Sequence, residues 1–213
     1  MREGQKKEGM AYALARQAAV LAVICVAVSA SLAFTYAATK DAIELGVKRE
    51  TDALRAEVMP GAAFEAVALP EGFHAGGLPA VGEGANTAGA IVLEMHKAIA
   101  QDGALAGYVA TASAKGYNGD VAVIVGARVD GTISGVRVSE HTETPGLGAN
   151  AAKSGFYGQY EGGRADEPFA VVKRAASASN EVSAISGATI TSNAVTNAVN
   201  AAAAAISAMI ANE

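Results

Sequence analysis

Residues 186–192 read SGATITS. Hydroxyls at Ser186, Thr189, Thr191 and Ser192 crowd around two small residues, Gly187 and Ala188, directly ahead of an alanine-rich helical pattern. The first turn of a helix carries backbone N–H groups with no intrahelical partner and a partial positive charge. Small side chains there let those groups approach a phosphate, and Gly187 can take a positive φ if the turn needs one. A plainer reading is that Thr191 or Ser192 caps the helix. Capping accounts for one hydroxyl and leaves the rest of the cluster unexplained.

A second stretch, EHTETPGLGAN at 140–150, holds the glycines of a G-x-G-x-x-A spacing that ends at Ala151. Its context is wrong for a dinucleotide turn: Pro145 and a polar loop separate the glycines from the preceding strand, and AKSGFYGQY after them is a poor helix. What remains is a loop stiffened by Pro and Gly that carries Glu143, Thr144 and Leu147. Gly146 and Gly148 would let a flat ring lie close to the backbone, and an ordinary surface turn is the alternative. His141 and Glu143 are spaced to share a strand face, a weak basis for proton chemistry. No G-x-S-x-G, S-x-x-K or Ser/His/acid arrangement is present. His74, His96 and His141 lie far apart without metal-ligand spacing, and the single cysteine, Cys25, rules out an intrachain disulfide.

These loops need elements to position them. Apolar runs at 90–100, 104–114, 121–129 and 133–141 are separated by turn residues: 101–103, the Asn-Gly of GYNGD at 116–120, and DGT at 130–132. Four strands joined by tight turns form an antiparallel meander. A further strand is expected within 167–174, and an irregular region over 60–90. The C-terminal pattern predicts an amphipathic helix over 192–212, able to press closely on a sheet, with Val195, Val199, Ala202, Ile206 and Met209 on one face and Thr196, Asn197, Asn200 and Ser207 elsewhere.

Upstream, residues 17–38 hold no charge and are bracketed by Arg16 and Lys40. At about 1.5 Å per residue such a run crosses a hydrocarbon core of roughly 30 Å. Arg2, Lys6, Lys7 and Arg16 ahead of it favour a cytoplasmic N-terminus. An uncleaved anchor is expected over a cleaved signal peptide, because the apolar run exceeds a usual signal core. A helix over 40–58 continues from it until Pro60 and Gly61. The formal charge of −5 argues against the basic surface that nucleic acid needs. The fold class is therefore α+β: residues 1–16 cytoplasmic, one transmembrane helix at 17–38, and an extracytoplasmic antiparallel-sheet domain with packing helices over 39–213.

Taken together, SGATITS, HTETPGLG and GYNGD resemble the FMN-binding domain of the G subunit of the Rnf (Rsx) electron-transport complex, a relative of the C subunit of the Na+-translocating NADH:quinone reductase. The resemblance covers nearly the whole chain, with its strongest support over about 90–195. It implies that Thr189, the last residue of the S-G-A-T quartet, carries FMN through a phosphoester bond, put there by a separate flavin transferase that uses FAD. It further implies that Ser186, Gly187 and Ala188 shape the phosphate cradle, with Thr191 or Ser192 as extra donors. The loop from Glu143 through Gly146 to Gly148 would lie against the flavin ring, with Thr144 and Leu147 its foremost contacts. The family often has Asp three residues before the motif's serine, where this chain has Ser183. The function so implied is electron transfer within an ion-translocating ferredoxin:NAD+ oxidoreductase, in complex with its membrane and flavin or iron–sulfur subunits, with no catalysis by this chain alone. The alternatives are the quinone-reductase counterpart and an anchored scaffold without redox chemistry.

Overall fold

The computed structural model describes residues 2–70, Phe73 and 89–213, with side chains from Arg16 onward. The stretch 74–88, which includes His74 and half of the region expected to be irregular, lies outside the described residues. The chain divides into two compact units, residues 1–50 and 51–213.

The first unit lies within one helix, α1 (Arg2–Val58). Its stretch from Arg16 is long and apolar enough to cross a membrane. Val20, Leu21, Val23, Ile24, Leu32 and Phe34 are all exposed there, as suits a helix whose surroundings are lipid. The hydroxyls of Ser31, Thr35 and Thr39 donate to carbonyls one turn back, at 2.8–2.9 Å. An apolar span can thus carry them without an unpaired donor.

The second unit is built on a five-stranded antiparallel sheet in the order β1 (Ala63–Val67), β2 (Ile91–Ile99), β3 (Leu105–Lys115), β4 (Asp120–Arg128), β5 (Ile133–Glu140). The four-strand meander is as expected. The fifth strand, β1, falls inside the region expected to be irregular and pairs with β2 from Ala63↔Ile99 to Val67↔Met95. It is short and mostly exposed, as edge strands are, so it lacks a strong apolar alternation.

Both faces of the central strands are covered. Val121, Val123, Val125 and Ala127 of β4 join one core with the helix α3 (Thr189–Ala211). On the other face Ile124, Val109 and Ala98 pack with Val58 and Met59 at the end of α1. Burial on both faces explains why β4 reads as a continuous apolar run.

A 3-10 turn at Gly148–Ala152, the short helix α2 (Ser154–Tyr157) and a second 3-10 turn at Gly158–Tyr160 follow the sheet. The strand expected within 167–174 contracts to β6 (Ala170–Val172). It pairs in parallel with β7 (Glu181–Ser183), a strand too short to announce itself in the sequence.

This segment covers the side of α3 that faces away from the sheet, which corrects the expected helix pattern. Thr196 and Asn200, which lie off the apolar face of an amphipathic helix, are buried as well. Asn200 accepts from the Phe169 amide at 2.8 Å and donates to the Phe169 carbonyl at 3.0 Å. Thr196 shares a 2.7 Å hydrogen bond with the buried Tyr160 hydroxyl. Tyr160 in turn meets Phe169 edge-on at 5.1 Å. α3 is apolar enough to pass for a membrane span, but it is the core helix of this unit. It starts at Thr189, not at 192, so the S-G-A-T threonine is itself helical.

Candidate functional site

Three segments converge at the N-terminal end of α3. The first is the β3–β4 hairpin turn, GYNGD. The second is the loop after β5, from His141 to Gly148. The third is the run from Ser186 into the first turn of α3. They enclose a cavity of about 430 Å³ lined by Tyr117, Glu143, Thr144, Leu147, Gly148 and residues 187–191. That volume is in the range of small-molecule sites.

The approach to α3 is built for access. Gly187 has φ +77°, a backbone that L side chains avoid. It turns the chain so that Ala188, the N-cap, enters the helix with no side-chain cap hydrogen bond. The first-turn N–H groups of Thr189, Ile190 and Thr191 have no intrahelical acceptor, and no acidic residue sits in that turn. The cluster's hydroxyls divide into distinct roles. Ser192, fully buried, donates to the Ala188 carbonyl at 3.0 Å and accepts from the Ile185 amide at 3.0 Å. Thr191, also buried, donates to Glu143 Oε2 at 2.7 Å. Ser186 is exposed and outside the cavity wall. Thr189 is half-buried in the wall, and no described residue hydrogen-bonds its hydroxyl.

Glu143 is 6% exposed. Besides Thr191, it accepts the amides of Tyr117 at 2.7 Å and Asn118 at 3.1 Å, both on Oε1. Burial pushes this carboxyl up. The Thr191 hydroxyl and the two amides outweigh burial and hold it below the usual carboxylate range. Both of its oxygens are so engaged, and it makes no hydrogen bond to His141. The hairpin turn is zipped to the same loop a second way: Asn118 Nδ2 donates to the Thr142 carbonyl, and the Thr142 hydroxyl donates to the Asn118 carbonyl, each at 2.7 Å.

Most of the residues singled out in the sequence meet at this cavity: Glu143, Thr144, Leu147, Gly187, Ala188, Thr189 and Thr191. Gly146 does not. It forms the turn at φ +80° and its carbonyl accepts from Asn150. Gly148 lines the cavity for a different reason than ring access. A Cβ there would run into the Glu143 carboxylate and come within 2.7 Å of Thr191 Oγ1. Sequence reasoning missed Tyr117 and Ile190 as wall residues. Both are exposed large side chains, at 72% and 55%, and with Leu147 they give the cavity an apolar rim. Tyr117 sits in a motif whose Asn-Gly content signals only a turn. Among the described residues no cluster could hold a metal ion.

The arrangement suits a ligand with a phosphate at one end and a flat apolar body at the other. The wall combines an open helix N-terminus, the apolar side chains of Tyr117, Leu147 and Ile190, and the unengaged Thr189 hydroxyl. The FMN-binding domain family model matches residues 116–204, which take in all three walls. The chain is 38% identical to the G subunit of the Na(+)-translocating ferredoxin:NAD(+) oxidoreductase complex of Acetobacterium woodii, over 85% of this chain and 86% of that protein. It is 32% identical to the G subunit of the ion-translocating oxidoreductase complex of Methanosarcina acetivorans, over 85% and 88%. Among solved structures, the C subunit of the Na(+)-translocating NADH-quinone reductase of Parabacteroides distasonis is similar with a TM-score of 0.47. It is 26% identical, over 56% of this chain and 64% of that one.

Proposed function

The chain belongs to the G-subunit family of ion-translocating oxidoreductase complexes, and on that premise we propose that it is a membrane-anchored electron carrier with FMN esterified to the Thr189 hydroxyl. The observation that carries the linkage is the division of labour at the helix mouth. Thr191 and Ser192 spend their hydroxyls on internal hydrogen bonds, whereas Thr189 stands in the cavity wall with its hydroxyl unengaged.

FMN supplies one- and two-electron chemistry; the chain supplies position and electrostatics. The first-turn N–H groups of α3 face the phosphate end of the cavity, and their partial positive charge balances a phosphodiester. Tyr117, Leu147 and Ile190 offer apolar surface to the ring while leaving one side of the site open. Partial exposure suits electron exchange with a partner and would cost affinity in a dissociable cofactor. A covalent bond removes that cost, and it matters most outside the cytoplasm, where no pool of free FMN refills an empty site.

A threonine hydroxyl is a poor nucleophile unaided, and the nearby carboxylate is occupied. Attachment therefore falls to a separate flavin transferase. Thr189 Oγ1 displaces AMP from FAD: the P–O bond to threonine forms, the bridging P–O bond of the pyrophosphate breaks, and the hydroxyl proton passes to a base of the transferase. The flavin's oxidation state is unchanged. In the membrane, the basic residues before the span put the N-terminus in the cytoplasm and residues 51–213 on the outer side, where the carrier exchanges electrons with the other members of its complex.

Native chain run on a denaturing gel gives a band that fluoresces under ultraviolet light, and peptide mapping places the added FMN on the peptide containing Thr189. Thr189→Val, coexpressed with the transferase, gives a dark band of normal amount. A dark band from the native chain, or an unchanged bright one from Thr189→Val, overturns the proposal.

A further inference from the structure

Each wall of the cavity comes from a different part of the chain, and one side chain touches all of them. Glu143 belongs to the loop after β5. Its Oε1 takes the Tyr117 and Asn118 amides of the β3–β4 turn. Its Oε2 takes the Thr191 hydroxyl in the first turn of α3. With two oxygens and their lone pairs, the carboxylate serves all three donors at once. The surroundings are shaped to admit it: a Cβ on either Gly116 or Gly148 would overlap the carboxylate.

We propose that Glu143 is the positioning residue of this site: its carboxylate ties the hairpin turn, the loop after β5 and the mouth of α3 into one cradle, and thereby aims the Thr189 hydroxyl. The geometry of the helix gives the coupling. Thr191 and Thr189 share the first turn, where about 3.6 residues complete a revolution. Fixing Thr191 against Glu143 therefore fixes the rotation of that turn and the direction in which Thr189 projects. The same carboxylate holds Tyr117 at the rim, so the two ends of the ligand site are set by one group. This inference rests on the reading of Thr189 as the attachment residue.

The test follows transfer of FMN from FAD onto the full-length chain by the flavin transferase, read as gel fluorescence per unit protein over time. Glu143→Ala slows attachment about ten-fold or more, because the acceptor hydroxyl is no longer held in place. Glu143→Gln restores the rate to within about three-fold of native: its amide oxygen accepts the two backbone N–H groups, and its NH2 donates to Thr191. Two core variants away from the cavity, Asn200→Ala and Ile206→Val, bracket the loss of thermal stability and attach at the native rate. Native attachment rates in Glu143→Ala overturn the proposal. So does equal slowing in a core variant of matched melting temperature, or Glu143→Gln as slow as Glu143→Ala. Failure of the native chain to acquire FMN on Thr189 overturns the attachment reading instead, and so the two failures are told apart.

Discussion

At the scale of single residues, the site is a matter of which polar atoms are spent and which are left. Hydroxyls that look equivalent in SGATITS are not: burial commits Thr191 and Ser192 to neighbours, and exposure leaves Ser186 outside the wall. Glu143 shows the same economy among carboxylates. Its lowered pKa means that the unfolded chain binds a proton more readily than the folded one, so folding stability rises with pH in that window. The contribution is full above the ordinary carboxylate range and is lost as the pH falls through the folded-state value. Thermal melts at descending pH should therefore show native chain losing stability on the acid side, with a shallower acid limb in Glu143→Gln. Gly148→Ala drives a methyl group into Glu143 and Thr191. We expect a loss of about 1–3 kcal/mol, the usual cost of overpacking, measured by chemical denaturation, together with slower flavin attachment.

At the scale of elements, α3 anchors the arrangement. Its N-terminus makes the site, and its body is held between the sheet and the segment from Gly148 to Ser183. The alanine run at 201–205 is buried throughout; small side chains let the helix approach its neighbours closely. The buried amide of Asn200 completes the backbone hydrogen bonds of Phe169. Asn200→Ala leaves that amide and carbonyl buried without partners, which should cost about 2–3 kcal/mol in a denaturant titration. The polar face expected for this helix presumes solvent opposite the sheet. The helical period is present in the structure, but α2, the 3-10 turns and β6 cover the side where solvent would be. Their sequence carries no strong pattern, since elements of three to five residues are too short to display one.

At the scale of the whole molecule, the chain joins a unit with an exposed apolar surface to a unit with its own core. The proposed topology predicts that protease added to sealed vesicles with the outer face exposed digests residues 51–213, while vesicles of the opposite orientation protect them. Much of this organisation is legible in the sequence. The charge-free run, the four-strand meander, the closing helix and the hydroxyl cluster at its mouth are all local. Each follows from hydropathy, turn chemistry or helix-end chemistry over a few consecutive residues. Tertiary structure alone decided which hydroxyls of the cluster are spent on neighbours, that Thr189 stands in the cavity wall, that Glu143 reaches both Tyr117 and Thr191, that Gly148 makes room for a carboxylate, and that β1 completes the sheet. The two Glu143 contacts join residues 26 and 48 positions apart, and β1 finds its partner strand across a comparable stretch of chain. No local pattern encodes such contacts, because they exist only once the sheet has brought its loops to the end of α3.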